Sequence, residues 1–227
     1  MTTFERDRQL FKFLSKNLTK NRLNRFDKVV NERTKHFVAV VEDIYNERNA
    51  SAVIRTCDCF GIQEINIIEN YNKYTISKKI AKGAENWLDI NLYENKVNNT
   101  QQCLNQLKNR GYQIVCTSPS NNAIKLSEFD ISKKSAIVFG GEKNGLTKTA
   151  LKNADVLIKI PMIGFSQSLN ISVAAAIIFY QIIESLKKSN INWKLSKRNM
   201  LKPKINWALN SIPNSNEILK RFNLINR

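Results

Sequence analysis

Six short apolar runs alternate with helix-patterned segments along this chain, and no other feature restricts the fold as strongly. The runs lie at 36–41, 64–68, 87–93, 112–117, 135–139 and 156–160. Segments with helical spacing stand at 49–60, 101–110 and 147–153, and a long helix follows the last run beyond Pro161 and Gly164. Such alternation predicts an α/β fold, a mostly parallel sheet covered by helices on both faces. Asn49 reads as the N-cap of the first helix and Gly61 as its C′ residue, while Gly111 stops the second. Residues 70–86 read as a polar, lysine-rich loop with a short helix, and 118–134 as a loop with turns.

The two ends have a different character. Phe4, Leu10, Phe11, Leu14, Leu18, Leu23 and Phe26 recur at helical spacing, giving one or two amphipathic helices with a basic polar face. Beyond Lys187, Trp193, Pro203, Trp207 and Pro213 punctuate a basic, Asn-rich tail holding short helices such as 217–224, too apolar for full disorder. The expected organisation is a basic helical arm at 1–35, a body at 36–187 and a basic extension at 188–227. Charge follows the same division. The chain carries +17 overall, of which residues 1–35 hold +6 and residues 184–227 hold +8. Basic arms around a nearly neutral body suit a polyanionic partner gripped through phosphate. Lys outnumbers Arg 25 to 11, a bias that a low-GC genome alone could produce, but that reading does not explain why the middle escapes.

Cys57, Cys59, Cys103 and Cys116 form no C-x-x-C pair, and His36 is the single histidine, so no Cys/His metal site is expected. Buried free thiols in a reducing cytoplasm account better for the cysteines. The opening residues are charged from Glu5 to Arg8 and do not read as a signal peptide. No segment has the apolar length of a membrane span. His36 opens a strand and reads as structural.

Three stretches hold the residue types that chemistry needs. The first, N-A-S-A-V-I-R-T-C-D-C-F-G at 49–61, turns Val53, Ile54 and Cys57 to the apolar side of a helix and sets Ser51 and Arg55 on the other at i, i+4. On composition alone Arg55 is a surface residue paired with Asp58. The second, I-V-F-G-G-E-K-N-G-L at 137–146, has the G-x-x-x-x-G spacing of a phosphate loop, but Leu146 and Thr147 stand where Lys and Ser or Thr would have to follow. No G-x-G-x-x-G occurs, which removes the dinucleotide fingerprint. A loop that lets backbone approach a ligand closely remains. The third runs from Val156 to Ala176. It gives a strand, a turn, and a helix whose Ser172, Ala174, Ala175 and Ala176 form a small-residue face, with Ser168 and Asn170 at the junction. Its generic reading is a capped helix after a strand.

Together, and in this order, the three stretches closely resemble the three signature motifs of the SpoU family of RNA ribose 2′-O-methyltransferases, over residues 36–183. The resemblance implies an S-adenosyl-L-methionine (AdoMet)-binding domain with a deep trefoil knot on its C-terminal side, and a homodimer whose interface builds the active sites. It makes Arg55 the central catalytic residue. Ser168 and Asn170 would orient Arg55 and substrate, Asn49 would support dimer and site, and Glu142 would engage cofactor or substrate. The cofactor loops would be the strand end at Thr117, the turn at Gly140 and the segment from Ile160 to Leu169. Arg55 would act either as base, once a substrate phosphate engages it, or electrostatically, by binding phosphate and steadying a developing alkoxide. The second role is physically easier, because a guanidinium rarely gives up its proton.

Short chains with basic ends and the wording N-A-S-A-V-I-R-T-C-D look most like the family's enzymes for the conserved guanosine of the tRNA D-loop; rRNA is the alternative substrate. One departure is that Glu184 and Leu186 stand where those enzymes often carry basic residues. Two readings from other classes compete: a non-catalytic RNA-binding protein on the same fold, and a small-molecule Rossmann enzyme, the latter weakened by the missing glycine fingerprint.

Overall fold

The computed structural model describes residues 2–94 and 97–225. The chain opens with helices α1 (Thr3–Ser15) and α2 (Lys20–Val30), each started by a threonine. Thr2 accepts from the Glu5 amide while Glu5 accepts from the Thr2 amide, so two orphan helix-start donors are satisfied reciprocally. Thr19 caps α2 in the same position.

The body follows as β1 (Phe37–Glu42), α3 (Glu47–Cys59), β2 (Glu64–Ile68), the single turn α4 (Lys78–Ala81), β3 (Asp89–Tyr93), α5 (Asn99–Asn109), β4 (Gln113–Thr117), β5 (Ile124–Lys125), β6 (Ser135–Phe139), α6 (Lys148–Asn153), β7 (Val156–Lys159) and α7 (Ile171–Lys188). The seven strands form one sheet in the order β3-β2-β1-β6-β4-β7-β5, and every neighbouring pair is parallel. Strand alternation divides the core in two. Phe37, Ala39 and Val41 face one layer with Val53 and Ile54 of α3 and Phe179 and Ile182 of α7. Val38 and Val40 face the other, with Leu104 and Leu107 of α5 and Ala150 of α6. The expected α/β class with helices on both faces is therefore the observed one.

Several local expectations are corrected. The N-cap of α3 is Asn46, whose side chain accepts from the Arg48 amide at 2.9 Å, not Asn49. With the cap supplied three residues earlier, the Asn49 side chain makes tertiary contacts instead. Ser51 does not share an open face with Arg55: it is fully buried, donating to the Glu47 carbonyl and accepting from the Ser77 amide at 2.8 Å. The loop carrying α4 lies over that side of α3. The loop after β4 contributes the two-residue edge strand β5, paired with β7. Of the small residues on α7 only Ala175 is buried, because residues 100° apart cannot all share one face. Cys57, Cys103 and Cys116 are buried, whereas Cys59 is exposed. Burial pushes the Cys103 and Cys116 thiols up to about 12.

His36 behaves structurally. Its Nε2 lies 2.8 Å from the Ile131 carbonyl oxygen, and burial moves its pKa down. Opposite the strand ends that point towards the site, Glu64 starts β2 as a buried carboxylate. Both Arg110 nitrogens donate to it at 2.7 Å, and Lys35 lies 3.2 Å away. Burial raises its pKa, but Arg110 and Lys35 together outweigh that and hold it below the usual carboxylate value.

The chain separates into two compact units. One is Lys35–Trp193, the sheet body; the other joins the two ends, up to Thr34 and from Lys194 onward. In the second, α8 (Lys197–Ser211) and α9 (Ser215–Ile225) pack with α1 and α2. Phe26 meets the Trp207 ring edge-on with centroids 5.5 Å apart, Phe13 meets Phe222, and Lys204 pairs with Asp27. The two ends, read from sequence as separate arms, thus share one core. Pro203 sits inside α8 rather than breaking it, within the first two turns of the helix and buried.

Candidate functional site at the carboxyl edge of the sheet

Ligands of open parallel sheets bind beyond the carboxyl ends of the strands, where chain order reverses. Here the reversal falls between β1, whose chain continues outward to β2 and β3, and β6 with β4 beside it. Thr117 ends β4, Gly140 follows β6, and Ile160 follows β7. Because β6, β4 and β7 are neighbours, these three positions come to adjacent strand ends. Thr117 pairs in register with Ile158, and its hydroxyl donates to the Val138 carbonyl at 3.1 Å. Past Ile160, residues 161–168 are exposed along their whole length, and Leu169 is half-buried before α7 begins.

The loop after β6 is closed by its own backbone. The Gly145 amide donates to the Gly141 carbonyl at 3.0 Å. A Cβ at Gly140 would stand 2.3 Å from the Gly145 carbonyl carbon, and one at Gly141 would stand 2.7 Å from the Asp43 carbonyl oxygen. Glycine at 140 is required by the turn's own closure, a tighter cause than the ligand approach expected from sequence.

A chain of polar contacts joins three distant segments. Asn49 Nδ2 donates to Glu142 Oε1 at 2.6 Å, and the Tyr45 amide donates to Glu142 Oε2 at 3.3 Å. Asn170 Nδ2 donates to Asn49 Oδ1 at 3.2 Å, and Asn170 Oδ1 accepts from the Ser172 amide and hydroxyl at 2.9 and 2.6 Å. The polarity is forced from one end. An ionised carboxylate only accepts, so Asn49 must turn its NH₂ to Glu142 and its oxygen to Asn170. Asn170 is then left with an oxygen aimed at the start of α7, where it serves as N-cap.

Asn49, Glu142 and Asn170 are thereby brought together. Arg55 and Ser168 are not part of this chain. Arg55 is exposed on α3, with Nη1 3.5 Å from the Ile80 carbonyl oxygen, and Ser168 is exposed just before α7. Four residues outside the three sequence motifs also build this edge. Glu42 ends β1, Asp43 and Tyr45 follow it, and Thr147 is the N-cap of α6. Asp43 adopts φ 55° and accepts through Oδ1 from the amides of Asn70, Tyr71 and Asn72, fixing the loop after β2. The acids closing the apolar run at 36–41 were the available sequence signal.

Among the described residues no group of three or more His, Cys, Asp or Glu is placed to hold a metal, and no helix is long and apolar enough to cross a membrane.

Residues 36–180 match the model of the SpoU rRNA Methylase family. The tRNA (guanosine(18)-2'-O)-methyltransferase of Borreliella burgdorferi is 41% identical over 184 residues, covering 81% of this chain and 83% of that protein. The enzyme of the same name from Aquifex aeolicus is 37% identical over 161 residues, covering 70% and 74%. Among solved structures, the A. aeolicus TrmH/SpoU tRNA modifying enzyme superposes with a TM-score of 0.76 at 32% identity, covering 86% of this chain and 98% of that one. The SpoU methyltransferase AviRb of Streptomyces viridochromogenes, solved in complex with the cofactor AdoMet, shares the fold with a TM-score of 0.60 at 18% identity, covering 72% and 65%.

Proposed function

Because the chain belongs to the SpoU methylase family, we propose that it is an AdoMet-dependent tRNA methyltransferase acting on the ribose 2′-hydroxyl of the conserved D-loop guanosine. The observation that carries this reading is the contact chain Glu142–Asn49–Asn170, which gathers all three motif segments at the carboxyl edge of the sheet. It occurs in a chain 41% identical to a tRNA (guanosine(18)-2'-O)-methyltransferase over four-fifths of its length.

The residues present fit the cofactor. Three adjacent strand ends at Thr117, Gly140 and Ile160 and the exposed backbone of 161–168, running to Leu169, offer amide donors and carbonyl acceptors to an adenosine. When bound, AdoMet would supply an electrophilic sulfonium methyl to the ribose 2′-hydroxyl, which must lose its proton. The protein supplies in-line positioning and help with that proton. Arg55, exposed and cationic, binds the phosphate beside the target ribose and steadies the developing alkoxide. Asn49 and Glu142 hold the start of α3 against the loop after β6, and Asn170 holds the start of α7 against both. Ser168, exposed two residues before Asn170, meets the substrate.

The body, 36–187, carries this chemistry and folds with a C-terminal trefoil knot. It works as a homodimer. Met162, Ile163, Phe165, Val173, Ile177 and Tyr180 form an exposed apolar stretch that a second copy would cover; Ile163 and Phe165 are wholly exposed. The basic ends, 1–35 and 188–227, grip tRNA phosphate, and exposed Lys20, Arg25, Lys28, Lys197, Arg198 and Lys202 supply the charge. Buried free thiols fit a cytoplasmic protein.

The test is transfer from methyl-labelled AdoMet to unmodified tRNA and rRNA transcripts, with the label mapped by nuclease digestion. Label on a D-loop guanosine ribose supports the proposal. Label in rRNA alone overturns the substrate, and RNA binding without transfer overturns the enzyme.

A further inference from the structure

Two tyrosines at the carboxyl edge combine high exposure with a fixed backbone. Tyr45 is 69% exposed and Tyr71 is 89% exposed. Single exposed apolar residues are ordinary on a protein surface. These two differ because each backbone amide is tied to a carboxylate. The Tyr45 amide donates to Glu142, and the Tyr71 amide donates to Asp43 Oδ1 at 2.8 Å. Asp43 also takes the amides on either side of Tyr71, at 3.2 and 2.8 Å, which holds that loop by three hydrogen bonds to one oxygen. Asp43 lies two residues before Tyr45, a span of about 7 Å at most. The two loops are therefore neighbours, and Tyr45 shares its carboxylate with Asn49 of the site.

The surroundings are cationic. The Lys143 ammonium lies 5.0 Å from the centroid of the Tyr45 ring, within cation–π range. The loop that presents Tyr71 continues through exposed Lys73, Lys78 and Lys79. Pre-ordered open rings among ammonium groups match one class of ligand closely. Single-stranded RNA offers base faces to stack and phosphates to pair, and sequence-tolerant stacking on aromatics is how unstacked loop nucleotides are held.

We propose that Tyr45 and Tyr71 form a stacking platform for unstacked bases of the substrate RNA loop, with Lys143 engaging the adjoining phosphate. This rests on the reading of the site as an RNA methyltransferase centre. The platform fixes which nucleotide of an opened loop reaches Asn49, Glu142 and Arg55, so the two tyrosines act as positioning residues.

Binding of a fluorescein-labelled unmodified tRNA transcript, followed by anisotropy, tests the platform independently of turnover. Tyr45→Ala and Tyr71→Ala should each weaken binding roughly 5- to 150-fold, the range of base–aromatic stacking. Tyr45→Phe and Tyr71→Phe should bind as the native protein does. The salt dependence should keep its slope in the tyrosine variants and fall by about one in Lys143→Ala. In transfer assays the alanine variants should raise KM for RNA and leave KM for AdoMet unchanged. Native affinity in both alanine variants would overturn the platform. So would equal losses in Phe and Ala, or alanine variants that sediment as a smaller species than the native protein, which would assign the surface to a second copy. Failure of the native protein to transfer methyl would instead sink the enzymatic reading, with the anisotropy comparison still deciding the platform.

Discussion

Glu42 accepts both the amide and the hydroxyl of Thr147, each at 2.8 Å, across 105 residues of sequence. The carboxylate is fully buried at the end of β1, and Thr100 of α5 donates to it as well. One acid thus ties β1, an interior strand, to the start of α6, directly after the loop that carries Glu142. Glu42→Gln puts an NH₂ against groups that already donate and leaves at least one buried donor unsatisfied. It should lower stability by about 1–3 kcal/mol. Urea unfolding followed by circular dichroism checks this, and an unchanged midpoint would remove Glu42 from the support of the site.

Gly140 and Gly145 differ in a way that substitution can read. Gly140→Ala would force a methyl to 2.3 Å from the Gly145 backbone and open the loop, so AdoMet binding by calorimetry should be lost. Gly145 has open space around its Cβ direction but φ +63°. Gly145→Ala should cost only about 1–2 kcal/mol of backbone strain and leave measurable binding.

Asn49 and Asn170 should be energetically coupled because the carboxylate of Glu142 orients both amides. The cycle of Asn49→Ala, Asn170→Ala and the double variant should give an interaction energy of about 0.5–3 kcal/mol in thermal or denaturant unfolding. Additive losses would mean that the amide contact between them carries nothing.

Arg55→Ala should reduce methyl transfer by about 100-fold or more, the effect of removing a group that stabilises developing charge. Stability should hardly move, since Arg55 is exposed and its Nη1 lies a long 3.5 Å from the Ile80 carbonyl oxygen. Single-turnover assays with saturating AdoMet give the first figure and thermal unfolding the second. A large fall in stability would make Arg55 a structural residue.

Glu64 sets an acid limit on the fold. Its folded pKa lies below the ordinary 4.5, so its contribution is complete above that value and is lost as pH falls through the lower one. Stability should therefore decline on acidification below about pH 4.5, and Glu64→Gln should flatten that limb. The variant should also lose about 2–3 kcal/mol near neutrality, below the usual loss for breaking a buried pair because Arg110 is partly open to solvent. Methyl transfer per folded molecule should be unchanged, since the cluster lies at the far edge of the sheet.

The layers of the fold were legible in the linear pattern. β2 and β6 fall on the residues their apolar runs mark, and Gly61 and Gly111 take positive φ where the helices before them end. Period and turn chemistry are local properties, so a linear pattern carries them. The motif residues Asn49, Glu142 and Asn170 could also be singled out in the sequence, but not their contacts. Folding in three dimensions set the rest: Asn46 caps α3 and leaves the Asn49 side chain free to reach Glu142, Ser51 is covered while Arg55 stays open, and both ends of the chain share one core. The same holds for Glu42, Asp43 and Tyr45, whose side-chain and amide contacts with the neighbouring loops reach across 27 to 105 residues. Hydrogen bonds and burial across such separations depend on strand order, and in a parallel sheet strand order is set by crossovers that no local spacing records.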